Sequence, residues 1–316
     1  MNKKKILVPI AIAVLLLIVI IAIISCVAKS TKDESGNGKL TLDQIDRVPR
    51  RPSVLCLSPS FVEMMYRIKC EDHIMAVTDG CDFPSDAKKL PNLGSSINLD
   101  WKLVEQLPID VVMLTPSHTI EHARFAKLGK KVITGKVDSL DAICNTMWAV
   151  GQLFNEEDFV EQWMMELDIT LTALKKKASM RNARGDEPQK ILFVLGHTPD
   201  FSGDIIVSGA KLFYSDVILK AGGVNAYQGA VETGIITFDE LVALQPDIII
   251  DLANPTDLLN RAEYESNIHS AWMKKIAETK KFEKTPKVAV FADSGARRPG
   301  PRIVELINNV GKLVFE

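Results

Sequence analysis

The stretch from Asn155 to Arg181 constrains this chain most, because its apolar residues fall at Val160, Trp163, Met164, Leu167, Leu171, Leu174 and Ala178. Spacings of three and four place them on one continuous stripe of an α-helix. Asn155 is read as the N-cap, Glu156, Glu157 and Asp158 put negative charge on the first turn, and Lys175 to Lys177 put positive charge near the last. All of these suit the helix dipole. Such a helix is roughly 40 Å long, about the width of a small domain. The sequence on its two sides repeats one pattern, so the helix reads as a strut between two lobes.

Before the strut, short apolar runs at Val54 to Leu57, Ile74 to Thr78, Val111 to Thr115 and Val132 to Thr134 alternate with helical stretches near Phe61 to Arg67, Leu99 to Leu107, Ile120 to Leu128 and Leu140 to Phe154. Beyond it, Gly185-Asp186-Glu187-Pro188 breaks the chain and the pattern resumes. Strands are expected at Ile191 to Leu195, Ile205 to Val207, Ile248 to Asp251 and Val288 to Phe291. Helices are expected near Phe213 to Ala221, Phe238 to Leu244, Tyr264 to Thr279 and Arg302 to Leu313. Buried strands alternating with helices predict an α/β chain: two Rossmann-like lobes with parallel sheets, residues 51–154 and 185–316, joined by one long α-helix over 155–184. The lobes also share a local echo. Leu107-Pro108-Ile109-Asp110-Val111-Val112 and Leu244-Gln245-Pro246-Asp247-Ile248-Ile249 each close a helix and launch a strand. With 47% apolar residues there is material for two cores.

The first five residues are Met-Asn-Lys-Lys-Lys, and an apolar run follows from Ile6 to Ile24, then Ser25-Cys26. This is the build of an export signal over residues 1–26. Ile23-Ile24-Ser25-Cys26 resembles the bacterial lipobox, whose cysteine is lipidated and begins the mature chain. The competing reading is an uncleaved transmembrane anchor, because the run is long enough to span a bilayer. Either places the chain at the periplasmic or extracellular face of the membrane. Residues 27–50 are polar with Ser-Gly-Asn-Gly in their middle, a flexible tether. The formal net charge of −2 and the lack of a basic face argue against a nucleic-acid partner.

Several stretches resemble one family, the substrate-binding proteins of ABC importers for iron-siderophores, haem and cobalamin. In the first half they are Leu57-Ser58-Pro59-Ser60-x-x-Glu63, and Val77-Thr78-x-x-Cys81-Asp82-Phe83-Pro84 followed by Leu93-Gly94. In the second they are Val207-Ser208-Gly209 with Phe213, Ala221-Gly222-Gly223-Val224-Asn225-Ala226, Leu241-x-x-Leu244-Gln245-Pro246-Asp247 and Arg298-Pro299-Gly300-Pro301-Arg302-Ile303-Val304-Glu305. The resemblance implies a monomeric receptor without catalysis or a cofactor of its own. It would hold a metal chelate between its lobes and deliver it to permease subunits. Arg298-Pro299-Gly300-Pro301-Arg302 looks most like the cobalamin branch, so a corrinoid leads, followed by haem or a ferric siderophore. The resemblance also implies a docking acid on each lobe. Asp239 matches in the second, and in the first either Asp100 or, with the alignment shifted, Lys102.

Ligands of parallel α/β units bind beyond the carboxyl ends of the strands, and clefts between lobes are common pockets. That rule selects Ser58, Pro59, Ser60, Phe61, Asp82, Phe83 and His118 in the first lobe, and His197, Phe201, Asn254, Arg297 and Arg298 in the second. Tyr227 is added as an aromatic. Phe83, Phe201 and Tyr227 are read as apolar walls for a flat macrocycle, or else as core, and Arg297 and Arg298 as partners of carboxylates or phosphate. His118 and His197 are candidate axial ligands to a chelated metal, or else polar pocket histidines. His118-Thr119-Ile120-Glu121-His122 also matches the inverted zinc-peptidase pattern, and a surface-anchored zinc hydrolase is the alternative function. Of Cys56, Cys70, Cys81 and Cys144, the pair Cys70 with Cys81 is the first disulfide to test.

Overall fold

The computed structural model describes residues 51–252 and 260–316, so Cys26, Asn254 and the expected segments 1–26 and 27–50 lie outside the described residues. The first lobe runs β1 (Val54–Cys56), α1 (Pro59–Arg67), β2 (Ile74–Ala76), a small hairpin of β3 (Gly94–Ser95) and β4 (Asn98–Leu99), α2 (Trp101–Gln106), β5 (Val111–Leu114), α3 (Thr119–Lys127), β6 (Lys131–Thr134) and α4 (Leu140–Phe154). Its sheet has the order β2-β1-β5-β6 and is parallel throughout. After α5 (Glu157–Asn182) the second lobe runs β7 (Lys190–Gly196), β8 (Ile205–Ser208), α6 (Phe213–Lys220), β9 (Val224–Asn225), β10 (Thr233–Ile236), α7 (Phe238–Leu244), β11 (Ile248–Asp251), α8 (Arg261–Thr279), β12 (Lys287–Val290), α9 (Ser294–Arg297) and α10 (Ile303–Phe315).

The second sheet departs from the expected all-parallel form. Strands β7, β9, β11 and β12 are parallel, but β8 runs antiparallel to β7 and β10 antiparallel to β8. The apolar pattern marks a buried run without its direction, and Gly234 lowers the β-propensity of the short β10.

Period-two alternation sorts each strand between two cores. Val54, Cys56, Val111 and Met113 face one cluster, while Leu55, Leu57, Val112 and Leu114 face another. In the second lobe Ile191, Phe193, Ile248 and Ile250 face the first of these clusters again, and Leu192, Val194 and Ile249 face a third. The central core is therefore common to both lobes, and Val160, Trp163, Leu167 and Leu174 of α5 are part of it. The strut is 26 residues long. Its N-cap differs from expectation. Asn155 closes α4 instead, with φ 55° in the left-handed region that asparagine tolerates, and α5 begins after Glu156 with no side-chain cap.

Cys70 and Cys81 are separate buried thiols, which corrects the pairing expected from sequence. β2 lies between them, and the two residues flank its opposite ends. Burial pushes both thiols up, Cys70 to about 11.

Candidate functional site

The carboxyl ends of the strands of the two sheets meet in a charged cluster that bridges the lobes. On the first-lobe side, the turn after β1 starts α1: the Ser58 side chain accepts from Ser60 N–H, Pro59 occupies the first turn, and Glu63 follows one turn later. Glu63 is 3% exposed, among Phe61, Val62, Met64 and Met65. On the second-lobe side, the chain after β12 makes α9 and the turn Arg298 to Arg302. Arg302 donates from Nε to Glu63 Oε2 at 2.9 Å, from Nη2 to Glu63 Oε1 at 2.6 Å and from Nη1 to Asp293 Oδ1 at 2.7 Å. Arg298 donates to Asp82 Oδ1 at 2.6 Å, to Ser294 Oγ at 3.2 Å, to Glu63 Oε1 at 3.4 Å and to the Gly80 carbonyl. Asp293 also accepts from Arg261 at 3.0 Å, so the charges alternate from the start of α8 to the loop after β2.

The turn that carries these arginines is fixed from below. Trp163 of α5, buried, donates from Nε1 to the Pro301 carbonyl at 2.8 Å. A second strap joins the lobes where Asp216 of α6 accepts from the Leu140 N–H at the start of α4, at 2.8 Å. Asp82 is pushed up by burial, but hydrogen bonding to Arg298 and its charge outweigh this and hold the carboxyl below its usual value. The Arg302 guanidinium lies 3.9 Å from the Phe83 ring centroid, a cation–π contact, and Phe83 remains 41% exposed.

The structure brings Ser58, Pro59, Ser60, Asp82, Phe83 and Arg298 to this boundary and places other expected residues elsewhere. Phe61 is fully buried in the shared core. Phe201 is buried in the outer core of the second lobe, and Tyr227 packs against that same core with its ring over Gly229 and Gly234. Arg297 is committed to main chain: it donates to the carbonyls of Leu252 and, at 3.2 Å, Leu195. His197 faces Asp251 Oδ2 from Nε2 and the Thr198 carbonyl from Nδ1, both at 2.7 Å, and stacks on Phe201 at 4.3 Å. Burial pulls its pKa down, yet the hydrogen bonds to Asp251 and Thr198 more than offset this and raise it. His118 is buried at the start of α3, where Nδ1 lies 3.3 Å from Thr115 N and 2.8 Å from Thr115 Oγ1.

The zinc-peptidase pattern comes apart in three dimensions. His118 and Glu121 are buried on one face of α3 while His122 is exposed. Among the described residues no three His, Cys, Asp or Glu side chains converge as a metal ion needs.

Sequence reasoning missed Glu63 and Arg302 as charged partners. The signal was present, since Glu63 is an isolated acid on the apolar face of α1 and needs a buried cation. Ile206 of β8 and Ile235 of β10 are cross-strand partners that stay 40% and 66% exposed. A cavity of about 190 Å³ lies beside Gly80 and Asp82, lined also by Val77, Cys81 and Lys88. A wider, open hollow of about 460 Å³ lies on the second lobe against Phe201, Phe238, Asp239 and Lys275.

The shared echo carries the same hydrogen bond in each lobe. Ser53 N–H donates to Asp110 Oδ2 at 2.9 Å and Lys190 N–H to Asp247 Oδ2 at 2.8 Å, each pair 57 residues apart. Counted back from those aspartates, the residue level with Asp239 is Lys102. Asp100 is the N-cap of α2, accepting from Leu103 N–H at 3.1 Å. Asp239 is exposed in the first turn of α7 and pairs with Lys281 at 2.7 Å.

Residues 54–286 match the family model described as periplasmic binding protein. The chain is 22% identical over 292 residues to the uncharacterized ABC transporter substrate-binding lipoprotein YvrC of Bacillus subtilis, covering 90% of this chain and 85% of that one. Among solved structures it is similar to the periplasmic vitamin B12 binding protein BtuF of Vibrio cholerae, with TM-score 0.65, 18% identity and coverage of 84% and 99%. It is similar also to the periplasmic heme-binding protein BhuT in complex with two hemes, with TM-score 0.66, 20% identity and coverage of 83% and 97%. These likenesses agree with a two-lobed α/β fold. The chain belongs to the periplasmic binding protein family.

Proposed function

We propose that this chain is the substrate-binding protein of an ABC importer. It works outside the cytoplasmic membrane, lipid-anchored through Cys26, and holds a metal chelate between its lobes for delivery to the permease. A corrinoid is the leading cargo, ahead of haem and ferric siderophores. The observation that carries the reading is the meeting of both lobes' strand ends at Asp82, Arg298 and Arg302, where α/β lobes take their ligands. The names of the relatives, a vitamin B12 binding protein and a heme-binding protein, support the same class of cargo. Asp239 on the second lobe, and Asp100 or Lys102 on the first, are the residues proposed to meet the permease.

Equilibrium binding to the full-length chain in detergent tests the reading, with cyanocobalamin, haemin and ferrichrome as probes. Micromolar or tighter binding of one of them is expected. Failure of all three to bind would remove the receptor function.

A further inference from the structure

We infer that the outer ridge of α5 pairs with the same ridge of a second copy of this chain, antiparallel about a two-fold axis, so that the protein forms a weak dimer in place of the monomer its family resemblance implies.

The strut carries two ridges. Its inner face holds Val160, Trp163, Leu167 and Leu174 in the shared core, and Trp163 reaches the turn of Arg298 to Arg302. On the opposite side Asp158, Gln162, Met165, Ile169, Thr172 and Lys176 follow one another in alternate steps of four and three, and every one of them is exposed. Those steps lay a second line of side chains along the helix, with the period by which helices pair. A ridge meant for water should be polar, yet the middle of this one is apolar. Met165 is 63% exposed and Ile169 67%, and Met180 continues the row at 52%. Such a row gains by being covered.

The charges along the ridge identify what covers it. Asp158 stands at one end of the apolar pair and Lys176 at the other, and among the described residues neither has an ion-pair partner. The flanks repeat that polarity, with Glu161 exposed on the first half and Lys175 and Lys177 exposed on the second. A parallel copy would set acid against acid and lysine against lysine. An antiparallel copy, related by a two-fold axis level with Leu167, sets Met165 against Ile169 of the second copy, Gln162 against its Thr172 and Asp158 against its Lys176. Symmetry makes each of these contacts twice, and the helix dipoles run in opposite directions. The apolar patch is small, so the pairing is weak in dilute solution. The anchoring proposed above confines the chains to one surface and raises the effective concentration at which the ridges meet. Pairing leaves the charged cluster of each copy open, because the turn that carries it lies on the inner side of its own strut.

Sedimentation equilibrium of the full-length chain, in detergent with micelles in excess over protein, tests the pairing. A dimer with a dissociation constant of roughly 10–100 µM is expected. Asp158→Lys and Lys176→Asp should each weaken it roughly tenfold, and the double variant Asp158→Lys/Lys176→Asp should restore it, because the swap rebuilds both ion pairs with their signs reversed. Ile169→Asp should leave the chain monomeric with unchanged thermal unfolding, since Ile169 is exposed in the single chain. As a second readout, oxidation of Met165 by hydrogen peroxide should slow as wild-type concentration rises and stay constant in Ile169→Asp. A wild type that is monomeric over the whole range, a dimer that survives Ile169→Asp, or a charge swap that fails to restore pairing would each overturn the inference. So would a Met165 shielded at every concentration, which would put residues 27–50 of the same chain on the ridge. No cargo is present in these measurements, so their failure leaves the receptor function standing.

Discussion

Arg302 grips Glu63 across the lobe boundary with two parallel hydrogen bonds, and both side chains are buried. Removing one partner leaves an uncompensated charge in the interior. Arg302→Met is expected to cost about 3–5 kcal/mol, and the double variant Glu63→Leu/Arg302→Met should recover much of that. Urea unfolding of the three proteins checks this, and a single variant as stable as wild type would contradict it.

His197 gives a pH signature. Its folded pKa is raised above the usual 6.5, so the pair with Asp251 stabilises the fold fully below that value, and the contribution is lost as pH rises through the folded pKa. The stability difference between wild type and His197→Phe should therefore be largest near pH 6 and shrink towards pH 9. A difference that grows with pH would show that the ring is neutral in the folded state.

The buried thiols should be slow. Cys56, Cys70 and Cys81 are held as thiols by burial, so disulfide-exchange reagents at pH 8 should label them in unfolded protein far faster than in native protein. Mass spectrometry of unreduced peptides should find no Cys70–Cys81 bridge.

Asp100 and Lys102 separate a structural role from a docking one. Asp100→Ala removes the N-cap of α2 and should lower stability by about 1 kcal/mol. Lys102→Glu, which puts an acid level with Asp239, should leave thermal unfolding unchanged and strengthen delivery to the permease, and Asp239→Ala should weaken it. Equal transport by wild type and both docking variants would discard that surface.

Motion between the lobes should be small. One helix crosses the boundary, the central core is common to both lobes, and two straps of hydrogen bonds link them. Closure on ligand should therefore resemble a slight rocking and not a wide hinge. Solution scattering with and without ligand checks this, and a resolvable fall in the radius of gyration would refute it.

Most of the order of helices and strands was legible because the apolar runs are short and bounded by turn residues, and those of β1, β5 and β11 are buried on both faces. Leu140 to Phe154 and Phe238 to Leu244 fall as expected to the residue. Asn155 was misplaced because asparagine suits both ends of a helix, and only the packing of α4 on α5 decides which. The site was harder to read. Strand-end position brought out Asp82 and Arg298, but aromatics nearby divide between cleft and core according to tertiary packing, so the sequence left Phe201 and Tyr227 open between wall and core; Phe201 is buried in the outer core and Tyr227 packs against it. The role of Arg302 depends on Glu63, distant in sequence, and no local pattern links the two.

The core shared by the lobes has a consequence for biogenesis. The first lobe and α5 are synthesised before the second lobe, and Val160, Trp163, Leu167 and Leu174 then lack part of their final surroundings. Until α10 arrives at the very end of the chain, that half-dressed face is open to proteases and to aggregation. Chains truncated before Ile303 should be cleared and not accumulate as a stable half-receptor.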